Sequence, residues 1–448
     1  MAVQSRNGGR PDEPVVVVGA GLAGLAAAMR LQGHPVLVVE RDDAVGGKAR
    51  SRERDGYTFD LTGHWLHLRE PDLRDLVFGL LGEESLNRLA RRATVWLDGR
   101  VITYPFQANI NGLPLGARVR CLGSYLAARL RGGNGDPAQM RFEDFIVERF
   151  GRGMARHFFI PYYSKKFHGI ALDELRTEWL KDYFPMPTTA QVIRGAFGRD
   201  HRIGYNSRFL YPERGGIGVL PEAMLKACAG RAGFELRLET SLEEIDLAGR
   251  RLRLSDSPRW RRWGAIISTM PLADLLDSVT VLPEEIRDAR RALRSSAMRY
   301  ADVALRAPSP IREHWVYTPG PEIPFYRMGV YTNAAPLMAP PGGASLWVEI
   351  AGQAGPVADS EIIEALVRIG AVAAPEDVLF VDQHKVEHAY VVFDDAREKA
   401  IGTILPWLAG QGIHSCGRYG RWGYGSMGDA INDGFSAAAL VAGAADGV

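Results

Sequence analysis

Apolar positions along the chain fall in short blocks rather than long stretches. Residues 14–18 (PVVVV) form an unbroken β-branched run, the pattern of a strand buried on both faces of a parallel sheet. A helical pattern over 23–31 follows directly, then a second strand over 35–39 and a helix over 73–81. Between about 114 and 200 longer helical stretches, among them 141–150 and 172–183, are broken by Gly and Pro. Strand character returns at 234–238, with a hairpin around 248–249 and another buried strand at 263–268. From 298 to 350 the pattern changes to short strands at 300–305, 314–317, 325–331 and 345–350, separated by Pro/Gly clusters such as 339–343. A helix at 360–369, strands near Val378 and Tyr390, a strand at 413–416, a glycine-rich loop and a helix from about Met427 close the sequence. Strand–helix alternation at the start, middle and end predicts an α/β protein whose doubly wound domain is discontinuous.

Length and composition sharpen this picture. At 448 residues the chain exceeds one ordinary core, so two or three domains are expected. With 54 basic and 53 acidic residues the net charge is +1, which gives no reason to expect a nucleic-acid or polybasic membrane partner. An anionic ligand must therefore be met by locally placed Arg. Cys121, Cys228 and Cys416 have no metal-ligand spacing and fit a reducing compartment. The first fourteen residues are polar and predict a disordered leader, and no apolar stretch reaches membrane-spanning length. A cytoplasmic protein is expected.

The first strand and helix enclose the chemistry. Gly19, Gly21 and Gly24 form a GxGxxG that turns tightly, lets the backbone approach a pyrophosphate and opens a helix at its positive end. Glu40 ends the second strand, where a carboxylate accepts from ribose hydroxyls. NAD and FAD share this fingerprint. The segment 40–50 adds the doublet Gly46–Gly47, then Lys48 and Arg50, and resembles the extended motif of the amine oxidase, protoporphyrinogen oxidase and UDP-galactopyranose mutase superfamily. The stretch 416–434 (CGRYGRWGYGSMGDAINDG), with Gly417 and Met427, resembles the closing flavin contact of that superfamily. The resemblance implies FAD, a Rossmann-type FAD-binding domain, a helical insertion and an antiparallel-sheet substrate domain. The expected division is 1–104, 207–290 and 388–448 for the FAD domain, 105–206 for the helices and 291–387 for the sheet.

Several segments are most similar to UDP-galactopyranose mutase. These are GHWLH with His64 and His67, PFQAN with Asn109, and YYSKKF with Tyr162 and with Phe167 in place of a Trp. Arg327, and Arg418 and Tyr424 of GRYGRWGYGSM, fall on that family's Arg and Tyr positions, with Ser426 replacing an Asp. The resemblance implies a redox-neutral pyranose–furanose interconversion of a nucleotide sugar through N5 of reduced flavin. Arg327, Arg418, His67, Tyr390 and Tyr424 are the expected catalytic set, and Tyr162, Phe167 and Asn109 the expected substrate contacts. An electron donor would reduce the flavin, and a homodimer is compatible with this reading. His64 and His67 lack further ligands, so no metal is expected. In the other direction, YPERGGIGVLP (211–221) resembles segments of protoporphyrinogen oxidase and desaturase relatives, leaving an FAD-dependent oxidase or desaturase as the alternative. An inert FAD-binding protein is the third class.

Overall fold

The computed structural model describes residues 13–132, 140–180, 184–198, 204, 207–352 and 355–445. The leader up to residue 12, residues 181–183 of the expected helix and the expected boundary at 206 lie outside them. Five parallel strands form the first sheet, in the order Ile413–Ser415, Ala265–Ser268, Val15–Val18, Val36–Val39, Phe234–Arg237. Segments from the start, middle and end of the chain therefore share one sheet, as the alternation predicted. All eight residues of its two N-terminal strands are buried. Each valine so placed contributes about 1.5–3 kcal/mol of transfer free energy. Helix Leu22–Arg30 packs against helix Met427–Ala445, and the two touch backbone to backbone. A Cβ on Gly434 would stand 2.0 Å from the Ala23 carbonyl oxygen.

The second sheet has seven strands, ordered Val378–Val391, Ser295–Leu305, Ala344–Ala351, Arg327–Val330, Trp315–Tyr317, Ala93–Leu97, Arg100–Thr103. Its pairings are antiparallel except between Trp315–Tyr317 and Ala93–Leu97. The two strands expected near Val378 and Tyr390 are one continuous strand of 14 residues. That strand crosses the expected boundary at 387, and the hairpin 93–103 belongs to this sheet although it precedes the boundary at 104.

The helical insertion comprises Leu115–Arg131, Phe142–Met154, Ile160–Lys166 and Thr189–Ala196. Gly151 (φ 77°) and Gly153 let two of these helices cross closely, since a Cβ on either would come within 2.7 Å of the Ser124 or Cys121 backbone. The helix expected over 172–183 is absent from its described part, which forms turns and a short 3-10 segment, Glu178–Leu180. The reason is tertiary. The Arg176 amide donates to the Phe393 carbonyl (2.6 Å), and the Leu175 carbonyl accepts from the Phe142 amide (2.7 Å). Both groups are thereby withdrawn from any local helix. Among the described residues no helix is long and apolar enough to cross a membrane.

Candidate active site

A cleft of about 1200 Å³ lies between the two sheets, lined by residues of both. Its lining includes Gly19, Gly21, Glu40, Gly46, Gly47 and Lys48. Gly19 has φ 100°, and a Cβ there would meet the Thr269 hydroxyl at 2.3 Å. Helix Leu22–Arg30 starts at Gly21 with no side-chain cap, so its first amides are left for an anionic ligand. Gly24 does not line the cleft; a Cβ on it would sit 1.9 Å from the Gly19 carbonyl oxygen, so its role is close helix–strand packing. The buried Glu40 carboxylate accepts from the amides of Ala20 (2.8 Å) and Asp42 (3.1 Å), ordering the loop while facing the cleft. Burial and, next, Arg41 lower the Lys48 ammonium to about 8, a charge that a phosphate would restore. An uncapped helix start, a cradle that excludes side chains and a carboxylate at the second strand end fit the ADP half of FAD.

Gly417 and Met427 line the same cleft. Ser426, which departs from the mutase pattern, opens the final helix in a reciprocal cap. Its amide and hydroxyl donate to Asp429 Oδ2 (2.6 and 2.8 Å), and the Asp429 amide donates back to the Ser426 hydroxyl (3.2 Å).

A second group in the same lining comprises Arg327, Glu349, Arg418, Tyr390 and Tyr424. Arg418 donates to the Ala389 carbonyl (3.1 Å), and its guanidinium carbon lies 4.5 Å from the Tyr424 ring centre and 5.7 Å from that of Tyr390. Tyr390 is hydrogen-bonded to the Tyr326 hydroxyl at 3.3 Å. Arg327 does not offer an open fork. Its Nε and Nη2 each donate at 2.7 Å to the buried Glu349 carboxylate, its cross-strand neighbour. Burial opposes the Arg327 charge most strongly, but Glu349, Tyr390 and Tyr162 together hold the guanidinium above its usual pKa.

Lys166 lies behind this cluster, its Nζ 4.0 Å from the Tyr390 ring centre and within 6.0 Å of the Phe167 and Trp179 rings. Burial, then Arg327, lowers its pKa to about 7. Glu349 and Lys166 were absent from the expected set. The alternation across the strand pair Arg327/Glu349 was the signal for the first; the second was hidden in the doublet Lys165–Lys166.

Along the wall, Trp65, Trp315, Tyr317 and Trp347 give the cleft an aromatic side. Trp347 occupies a slot between two glycines; Cβ atoms on Gly63 and Gly329 would approach its ring at 2.6 and 2.5 Å. His64 and His67 also line the cleft. His67 Nδ1 is 3.2 Å from the Arg208 carbonyl oxygen, the geometry of a donated N–H. Burial lowers both histidines to about 4, so both are neutral at pH 7. A network also missing from the expectations joins the halves: Arg52 donates to the Tyr300 hydroxyl (2.8 Å) and to Asp302 (3.2 Å), beside His384.

The three expected substrate contacts do not line the cleft. Asn109 is fully buried and donates to the Pro105 carbonyl (3.1 Å), closing a 3-10 turn. Tyr162 is buried among Phe158, Tyr317 and Tyr326. Phe167 packs on Trp179 and Tyr390, one layer behind the cleft.

Comparison with known proteins bears on the family and the fold. The family model for flavin containing amine oxidoreductase matches residues 22–442. The crystal structure of a reduced UDP-galactopyranose mutase superposes with a TM-score of 0.87 at 26% identity, covering 96% of each chain. Cyclohexylamine oxidase from Brevibacterium oxydans IH-35A shares the fold, with a TM-score of 0.68 at 18% identity over 97% of this chain and 100% of that one. Phytoene dehydrogenase of Streptomyces griseus is 49% identical over 81 residues, 18% of this chain. The matched stretch spans only 16% of that curated relative.

Proposed function

This chain belongs to the flavin-containing amine oxidoreductase family, and we propose that within it the chain is a sugar mutase, interconverting pyranose and furanose forms of a nucleotide sugar without net redox change. The carrying observation is that Arg327, Arg418, Tyr390 and Tyr424 line the same cleft as the dinucleotide cradle. The likeness to the UDP-galactopyranose mutase structure over nearly the whole chain supports the same reading. Bound FAD, reduced by an external donor, would supply an electron-rich N5 as the nucleophile toward the anomeric carbon.

The protein's own groups do the remaining work. Arg418 binds the diphosphate and stabilises it as a leaving group through charge-assisted hydrogen bonds. Arg327, fixed by Glu349, contributes charge from a set position; its Nε and Nη2 are already committed to the carboxylate. The Tyr390 hydroxyl stays protonated, as burial raises it above its ordinary value, and so acts as a hydrogen-bond donor. Neutral His67, donating from Nδ1, presents Nε2 as an acceptor toward sugar hydroxyls. Trp65, Trp315 and Trp347 exclude water from the reacting carbon.

The aromatic wall and the local likeness to phytoene dehydrogenase favour a second reading, an FAD-dependent oxidoreductase acting on an apolar substrate. UDP binding separates the two. In calorimetric titration the mutase reading expects UDP to bind the parent protein and to bind Arg418→Ala much more weakly. No binding by the parent, with nucleotides of all common bases tried, moves the assignment to the oxidoreductase.

A further inference from the structure

Arg418 and Tyr424 reach the cleft from one short loop, whose shape depends on a contact from outside it. Residues Gly417–Gly420 make a single helical turn. Between that turn and Tyr424, Trp422 has φ 51°, in the left-handed region that a bulky side chain rarely occupies. Glycine would adopt this conformation without strain, yet the chain places a fully buried indole there. Within the loop the Gly423 amide donates to the Arg418 carbonyl (2.8 Å) and the Trp422 amide to the Tyr419 carbonyl (3.2 Å). The Trp422 carbonyl accepts from a distant side chain, Arg397 Nε, at 2.7 Å.

Arg397 is itself firmly placed. It is buried, its guanidinium carbon lies 4.0 Å from the Phe393 ring centre, and its Nη1 is 3.9 Å from Glu178. Burial, the largest influence, lowers its pKa, and Glu178, Glu398 and Asp394 pull the other way. Its amide donates to Asp394 (2.8 Å), the cap of helix Asp395–Gly410. That helix start is tied to the helical insertion, because Asp395 accepts from Arg141 (2.7 Å) and from Arg176. The segment 172–180, whose backbone is drawn to Phe142 and Phe393, thereby also sets Glu178 beside Arg397.

We propose that Arg397 is a positioning residue: through the Trp422 carbonyl it fixes the loop that presents Arg418 and Tyr424 to the cleft, and it makes the helical insertion a determinant of that loop. A hydrogen bond from a buried cation is stronger than one between neutral groups, so it holds a backbone conformation that local sterics oppose. Arg397 does not line the cleft, so its influence there passes through the loop. Lysine at this position keeps the charge but has no Nε–H at the same place on the side chain. The consequence for ligand binding rests on the mutase reading; the consequence for the loop does not.

Hydrogen–deuterium exchange of the purified holoprotein, read on a peptide covering 416–425, tests the loop directly. In Arg397→Met exchange there should rise about tenfold or more, while the strands of the first sheet keep the parent rate. Arg397→Lys should lie between the two. In calorimetric titration Arg397→Met should weaken UDP binding about tenfold, and adding it to Arg418→Ala should cause little further loss, since the two side chains act as one unit. Absence of UDP binding in the parent would remove the reading of the reaction and leave the exchange result to decide this inference. Unchanged exchange over 416–425 overturns it. So does a rise spread evenly over the chain, which marks a general structural role. If Arg397→Met does not fold, Arg397→Lys decides by the same measurement: a local rise supports positioning, and the parent rate overturns it.

Discussion

Two groups of residues that line the cleft are built on different principles. The cofactor cradle is made of backbone: glycines whose missing side chains leave room, a helix start, and one carboxylate that accepts from amides. The arginine cluster is made of side chains brought together from separate segments. Arg327 and Glu349 meet across a sheet, Arg418 is stacked near Tyr424, and Lys166 reaches in beneath Tyr390. Backbone geometry leaves its mark as a local motif, whereas a side-chain constellation leaves only scattered residues. The cradle should thus respond to substitution by losing the cofactor, and the cluster by losing activity with the cofactor retained.

Gly24→Ala breaks the cradle most severely. The added Cβ meets the Gly19 carbonyl oxygen at 1.9 Å, an overlap between fixed backbone segments, so purified protein should be colourless and not reconstitutable with FAD. Full yellow colour in this variant would mean that the helix does not rest on the first turn as described.

Arg418→Ala addresses the arginine cluster. Turnover should fall by roughly two to three powers of ten, about 2.7–4 kcal/mol, comparable to losing one anion-stabilising donor, while flavin absorbance stays at the parent level. Arg418→Lys should recover only part of this, because a point charge cannot reproduce the planar fork. Steady-state rates and the flavin spectrum of the same preparations check both statements.

Glu40→Ala should weaken FAD retention by about 1.5–3 kcal/mol, the scale of a hydrogen bond to a charged acceptor. Because Glu40 also holds the amides of Ala20 and Asp42, the variant should show faster FAD dissociation as well as weaker binding. Unchanged affinity would remove the ribose role.

The smallest expected effect concerns pH. Lys166 is charged below about 7 and neutral above it. Its charge supports an anion in the cleft, so UDP affinity should decline a few-fold as pH rises through this range. Lys166→Met should flatten the decline in the titrations. An equally steep profile in the variant would assign the effect to another group.

The sequence carried the sheet core, the glycine cradle, Glu40, Gly417 and the start of the final helix, because each is dictated within a few residues by turn geometry or apolar runs. Arg327, Arg418, Tyr390, Tyr424 and His67, singled out by motif likeness, line one cleft in the structure. What the sequence missed depends on partners far along the chain. Glu349 matters only because an adjacent strand sets Arg327 opposite it, and the Trp347 slot requires Gly63 and Gly329 at once. Residues 172–180 carry a helical pattern yet give their backbone groups to Phe142 and Phe393. Asn109, Tyr162 and Phe167 were carried over from motif likeness. They serve as a turn and as packing behind the cleft, a distinction that burial decides and a linear pattern does not express.

The central claim, that the cofactor cradle and the arginine cluster act together without net redox change, is tested most directly by anaerobic incubation with UDP-galactopyranose, with and without dithionite. Chromatography of the products should reveal the furanose isomer only when the flavin has been reduced beforehand, with the flavin still reduced at the end. No isomer in either arm, or bleaching of oxidised flavin by an apolar amine or polyene with oxygen uptake afterwards, would contradict the mutase account.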